Sequence, residues 1–256
     1  MDEQQTDLEA FETAELEKKK KTKKEWIQLF WIALAALAIR SCVFEPYNIP
    51  SSSMVPTLLV GDYLFISKYD YGYSKHSFPF SIPLIPKGRI FSQSPQRGDI
   101  VVFKYPKNER TDYIKRVIGL PGDTIQMKHG RLFINGQAVS RTKIDEQKWL
   151  TESGWQNYIK YAETLPNGFV HDIYEINDSM PLDDTDEVLV PPGHYFMMGD
   201  NRDNSQDSRY FGLVAEELLE GKARFIFYST NGDGWFFQFW RWPEFVRLNR
   251  MFTEIH

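Results

Sequence analysis

The order of apolar and polar positions divides this chain into three parts. Residues 1–24 are polar: acids dominate up to Glu17, and Lys18–Lys24 (KKKKTKK) then place six lysines in seven positions. From Trp26 to Phe44 follow 19 residues that are almost wholly apolar, broken only by Gln28 near one end and Arg40-Ser41 near the other. At about 1.5 Å of rise per residue this run nearly crosses a hydrocarbon core of about 30 Å, and it predicts a transmembrane helix. Beyond it no apolar run reaches comparable length. Instead there are short segments rich in β-branched and aromatic residues, at Asp62–Lys68, Asp99–Lys104, Arg131–Ile134, Gly193–Met198 and Ala223–Tyr228. Gly, Pro and Asp bound them, which predicts strands. Asn135-Gly136 between two such runs predicts a hairpin with a type I′ turn. The expected fold is mainly β: an N-terminal transmembrane helix, then a β-rich domain of antiparallel sheets.

The stretches between these strands carry weaker patterns. Residues 74–96 are rich in Pro and Ser and read as a long exposed loop, and residues 140–185 read as polar, aromatic and irregular. Beyond the anchor, helix is expected only at Pro243–Phe252. The expected organisation is a cytoplasmic tail over 1–24, an anchor over 25–44 and an extracytoplasmic domain over 45–256, with an inserted cap at about 126–185.

The lysine run sets the orientation. Basic residues flanking a span are retained in the cytoplasm, so everything after Phe44 is expected on the outer face of the membrane, held by a single pass. Two other readings compete with an uncleaved anchor. Ala36-Leu37-Ala38 matches a signal-peptide cut site, but it lies inside the apolar run without a polar extended stretch before it. Cys42 could be a lipoprotein site, but Arg40 fits poorly before it. The aromatic stretch Trp235–Trp242 is too short to span, and its composition suits either core or a membrane-interface belt.

Composition narrows the chemistry. A net charge of −5 argues against a nucleic-acid partner. The single cysteine excludes an intramolecular disulfide, and the five histidines lack metal-ligand spacing, so no metal is expected. Ser51-Ser52-Ser53, between Pro50 and Pro56, raises a different question. A serine hydroxyl is a weak nucleophile that needs a base within reach. No histidine stands near a serine motif. Lys115, in Thr111-Asp112-Tyr113-Ile114-Lys115-Arg116-Val117, falls at strand period two with Tyr113 and Val117, on an apolar face. Desolvation there would lower its pKa and leave an amine able to accept the serine proton, although on composition alone a snorkelling or surface lysine is the better fit.

Four stretches in order settle between those readings: Pro50-Ser-x-Ser53-Met54-x-Pro56-Thr57-Leu58; Arg97-Gly98-Asp99 through Phe103; Tyr113-Ile114-Lys115-Arg116 through Gly119-Leu120-Pro121-Gly122-Asp123; and Gly199-Asp200-Asn201-Arg202-Asp203-Asn204-Ser205-Gln206-Asp207-Ser208-Arg209. With them, the chain resembles the bacterial type I signal peptidases, membrane-anchored Ser–Lys endopeptidases that remove signal peptides from exported proteins.

The resemblance, which covers roughly Phe44 to Phe211 apart from the insertion, implies a role for each residue. Ser53 would be the nucleophile and Lys115 the general base. The Ser51 hydroxyl and the Ser53 N–H would form the oxyanion hole, while Ser52 would only make the turn. Ser205 would orient the lysine amine, and Asp207 would pair with Arg209 instead of charging Lys115. Tyr47, Ile49, Met54, Leu58, Tyr113 and Ile114 would line pockets for an extended substrate with small residues one and three places before the bond. The implied partners are preprotein signal peptides emerging from the export machinery and membrane lipid, and no cofactor is needed. A Ser–Lys protease with one dedicated substrate and a silent anchored binding module are the remaining alternatives.

Overall fold

The computed structural model describes residues 3–78, 85, 88–151, 154–232 and 242–256. In chain order these form α1 (Glu3–Cys42), β1 (Phe44–Asn48), β2 (Asp62–Ser67), β3 (Ile100–Tyr105), β4 (Asn108–Gly119), β5 (Thr124–Lys128), β6 (Arg131–Ile134) and β7 (Gln137–Ala138). They continue with β8 (Ser140–Thr151), β9 (Gly154–Thr164), β10 (Val170–Glu175), β11 (Val188–Leu189), β12 (His194–Met198), α2 (Ser208–Phe211), β13 (Val214–Ala215), β14 (Leu219–Ser229), α3 (Trp242–Phe245) and β15 (Thr253–Glu254).

Helix α1 is 40 residues long, so the helical backbone continues well before the apolar run. Its segment Lys18–Cys42 is long and apolar enough to cross a membrane. The helix stops at Cys42 because the next residues join the sheet: Phe44 pairs with Ser67 across β1 and β2. Among the described residues one isolated parallel bridge joins Tyr174 to Asn201, and the named strands pair antiparallel throughout, in three sheets. The largest has the order β1-β2-β14-β3-β4-β12-β13, with β15 added on β14. Strand alternation divides its apolar residues between two faces. Ile100 and Val102 enter one cluster with Leu64, Ile66 and Ile226, whereas Val101 and Phe103 enter another with Val117, Tyr195 and Met197.

A four-stranded sheet, β11-β5-β6-β7, and a three-stranded one, β10-β9-β8, fill the chain between β4 and β12. The expected hairpin joins β6 to β7, and Asn135 and Gly136 both adopt the positive φ of 53° and 74° that a type I′ turn requires. The expectation of irregular chain over 140–185 is corrected. Strands β8 and β9 make a paired ribbon of 12 and 11 residues, whose cross-strand pairing supplies the order that its polar composition hid. The ribbon's Tyr158 packs with Tyr174 and Val55, against the serine-rich loop.

Two local expectations also change. The stretch after Ser74 is not simply exposed: Ser74, His76 and Ser77 are buried, Lys68 Nζ donates to Ser77 O, and Arg89 donates to the carbonyls of Tyr71, Gly72 and Leu219. Pro243–Phe252 is not one helix. Val246 bridges Thr230 and Arg247 N donates to Ser229 O, so only the turns 242–245 and 248–250 remain helical. The aromatic run 235–242 lies outside the described residues, except for the backbone of Trp242, which opens α3.

Met54 and Leu58 require a correction of their own. They are 1% and 0% exposed and belong to the core beneath the serine loop, with Ile49, Leu64 and Ile226. They are absent from the wall of the cleft described below. Period-free spacing after Ser53 could not distinguish a side chain that faces the substrate from one that pins the loop down. Leu58→Ala should therefore act as a core truncation and lower stability by about 2–5 kcal/mol. Chemical denaturation measures this, and a loss below about 1 kcal/mol would contradict the packing.

Candidate active site

The loop Ser51–Leu59 lies within the connection from β1 to β2 and packs against β4 at Lys115 and Arg116. There Lys115 Nζ stands 2.6 Å from Ser53 Oγ, and the Ile114 carbonyl accepts from the same amine at 2.8 Å. Lys115 is 4% exposed. Burial lowers its pKa to about 8, against a smaller upward pull from Asp207 and Asp200. The pair has one base and one hydroxyl in contact, in a place where the amine gives up its proton far more readily than in water. Ser51 Oγ lies 3.4 Å from Ser53 Oγ.

Both carboxylates near the lysine are already engaged. Burial opposes ionisation of Asp207, but Arg209 overrides it and holds the carboxyl low. Arg209 Nε donates to Oδ1 at 2.9 Å and Nη2 to Oδ2 at 2.8 Å. The Gly199 N–H adds a third bond to Asp207 at 3.0 Å. Asp200 follows the same rule: burial raises it, and a two-pronged contact with Arg116 at 2.8 and 2.7 Å pulls it below the usual range.

Ser205 is buried in the same cluster. It helps hold Asp207 down, but its Oγ makes no contact of full hydrogen-bond geometry, with Lys115 or with any other described group. Gly199 permits this crowding, because a Cβ there would stand 2.5 Å from the Ser53 carbonyl oxygen.

A cleft of about 630 Å³ opens over Ser53 and Lys115. Of the six residues expected to contact substrate, Tyr47, Ile49, Tyr113 and Ile114 line it. Its walls are two strand edges. β1 pairs only with β2, and β12 pairs with β4 only at Arg116, Val117 and Gly119, so β4 keeps a free edge up to Lys115 among the described residues.

Several residues that matter here carried no separate signal in the sequence. Asn201 donates its N–H to Ser53 O and its Nδ2 to Ser52 O, both at 3.1 Å. Asn204 Nδ2 donates to Ser52 Oγ at 3.0 Å, so Ser52 does more than make the turn. Thr57 Oγ1 donates to Asp200 at 2.5 Å. All four stand inside the quoted stretches, but no spacing rule assigns them a partner a hundred residues away. Among the described residues no group of three or more His, Cys, Asp or Glu is placed to hold a metal.

Residues 23–228 match the family described as "Signal peptidase, peptidase S26". The signal peptidase I of Rickettsia conorii is 42% identical over 257 aligned residues, covering 93% of this chain and 94% of its own. That of Rickettsia canadensis is 42% identical over 255 residues, covering 93% and 95%. A crystal structure of a signal peptidase I from Enterococcus faecalis V583 is 31% identical, covers 51% of this chain and 97% of its own, and superposes with a TM-score of 0.31. A buried Ser–Lys pair under an open cleft, in a chain matched along nearly its whole length, leads to one assignment: this chain belongs to the signal peptidase I family of S26 serine endopeptidases.

Proposed function

We propose that the chain is a single-pass membrane peptidase that cuts exported preproteins after a small-x-small sequence, with Ser53 as nucleophile and Lys115 as base. The observation that carries this reading is the 2.6 Å contact between Lys115 Nζ and Ser53 Oγ in a site where burial brings the lysine to about 8. In its neutral form Nζ accepts the Ser53 proton as Oγ attacks the scissile carbonyl carbon. The C=O π pair moves onto oxygen, and the Ser53 N–H and Ser51 hydroxyl meet that oxyanion. Collapse breaks the C–N bond, and the Lys115 ammonium protonates the leaving amine. A water then attacks the Ser53 ester, giving a proton to Lys115. Collapse returns that proton to Ser53 Oγ and frees the signal peptide's new carboxylate.

The two free strand edges support an extended substrate. Between β1 and β4 a peptide can add as a strand, its alternate side chains entering the wall made by Tyr47, Ile49, Tyr113 and Ile114. Lipid is the second partner. Half-buried and exposed aromatics follow the end of α1 in the sheet: Phe44, Phe65 and Phe225 lie in edge or tilted contact, and Tyr63 packs on Phe227. Such a surface suits the headgroup level of a bilayer. A basic flank at Lys18–Lys24 keeps the N-terminus cytoplasmic, which places residues 45–256 outside the inner membrane. Nucleic acid and cofactors have no part in this scheme.

The cleavage rate should rise with pH and level off above about 8, because only the neutral amine works. At pH 7 about one lysine in ten would be neutral, against about 0.04% for an unperturbed lysine. Lys115→Ala and Ser53→Ala should each abolish cleavage of a purified preprotein while leaving the fold intact. Lys115→Arg should fail too, since a guanidinium does not deprotonate. Full activity in Lys115→Ala, or a rate that follows a histidine, would overturn the scheme. For topology, protease added to intact spheroplasts should degrade the 45–256 body, and protection of that body would reverse the orientation.

A further inference from the structure

A trans peptide group is planar, with its C=O and N–H pointing in opposite directions. The only cis bond among the described residues is Val55–Pro56, so the Ser52–Ser53 peptide is trans. Wherever the Ser52 carbonyl is held, the Ser53 N–H is aimed the other way. That carbonyl takes two hydrogen bonds, one from Val55 N–H at 3.1 Å, which closes a turn, and one from Asn201 Nδ2 at 3.1 Å. Asn201 also holds the next carbonyl, through its own N–H on Ser53 O. One residue thus grips both carbonyls that flank the nucleophile.

Asn201 is well placed to do so rigidly. It is 1% exposed and follows Asp200, which Arg116 clamps from β4. Its amide orientation is the one that sets a donor against the Ser52 oxygen; the reverse would press two oxygens together. Asn204 adds a bond to the Ser52 hydroxyl from the same segment. Ser51, Ser52, Ser53 and Asn204 line the cleft, whereas Asn201 does not and lies behind the loop. A carbonyl drawn toward Asn201 therefore turns the Ser53 N–H toward the cleft, where the Ser51 hydroxyl also stands. Among the described residues none accepts from that N–H, so it is left for the substrate.

We infer that Asn201 is the positioning residue of the oxyanion hole: by gripping the Ser52 carbonyl it aims the Ser53 N–H at the carbonyl oxygen of the substrate. The inference rests on the Ser–Lys reading above. Asn201 makes no hydrogen bond to Lys115 and does not line the cleft, so its effect falls on transition-state charge alone. Losing a whole oxyanion donor typically lowers the rate about 10²–10³-fold. The Val55 bond keeps the peptide partly in place, so a misaimed donor should lose less, about 10–100-fold.

The test uses the full-length protein in detergent with a purified preprotein. Asn201→Ala should lower kcat by about 10–100-fold and leave KM and the apparent pKa of the rate profile unchanged. Combined with Ser51→Ala, the loss should be clearly less than the product of the two single losses, because both variants damage one hole. A kcat within twofold of the unaltered chain, a multiplicative double variant or a shifted pKa would each overturn the inference. Thermal unfolding checks that the variant is folded. Should Asn201→Ala not fold, the exposed Asn204→Ala takes its place: a fall in kcat of a few-fold at constant KM is expected, and wild-type kinetics would overturn the inference. Failure of the unaltered chain to cleave the preprotein would instead remove the peptidase reading, and this inference with it.

Discussion

The ion pair between Arg116 and Asp200 is the contact on which the site's geometry depends. It joins three segments distant in sequence: β4 through Arg116, the loop after β12 through Asp200, and the serine loop through Thr57, whose hydroxyl donates to the same carboxylate. Arg116 also reaches the Gly98 carbonyl at 2.7 Å. Both charged groups are buried completely or nearly so. Such a pair is not itself a large source of stability, since desolvation offsets much of the attraction. Removing one partner, however, leaves an uncompensated buried charge at about 3–5 kcal/mol. That asymmetry favours only conformations in which all three segments meet.

The adjacent residue uses the same burial for the opposite purpose. Lys115 and Arg116 are neighbours on β4, so their side chains leave opposite faces of the strand. Arg116 receives a carboxylate within hydrogen-bond distance, whereas Lys115 receives a hydroxyl and a backbone carbonyl. Asp207 still pulls the lysine upward, but less than burial lowers it, and its hydrogen-bonding partner is Arg209. The result is a lysine that loses its proton easily, beside an arginine held in a buried ion pair. The Asn201 grip extends the same framework to the serine loop, because the residue that follows Asp200 holds the carbonyls around Ser53.

Elements whose pattern is local were legible from the order of residues. The apolar run of α1, the β-branched and aromatic strands at Asp62–Ser67 and Ile100–Tyr105, and the Asn135-Gly136 turn each follow from neighbours within a few positions. The ribbon over 140–164 was not legible, since its polar residues are ordered by pairing across strands and not by burial. Met54 and Leu58 failed for a related reason: an apolar side chain near a nucleophile suits a substrate pocket and a core equally.

The chain's own residues were enough to determine a membrane-length helix, a β-rich body and a serine and a lysine with the chemistry to act together. Only the tertiary structure decided that Lys115 would be buried, that Asp200 and Asp207 would each find an arginine, and that Asn201 would sit behind Ser52. The physical reason is range. Helix and strand propensity, turn conformation and side-chain period act between neighbours along the chain. Desolvation, ion pairing and the aim of a peptide group instead depend on which segments meet in space, and Ser53, Lys115 and Asn201 are brought together from three of them.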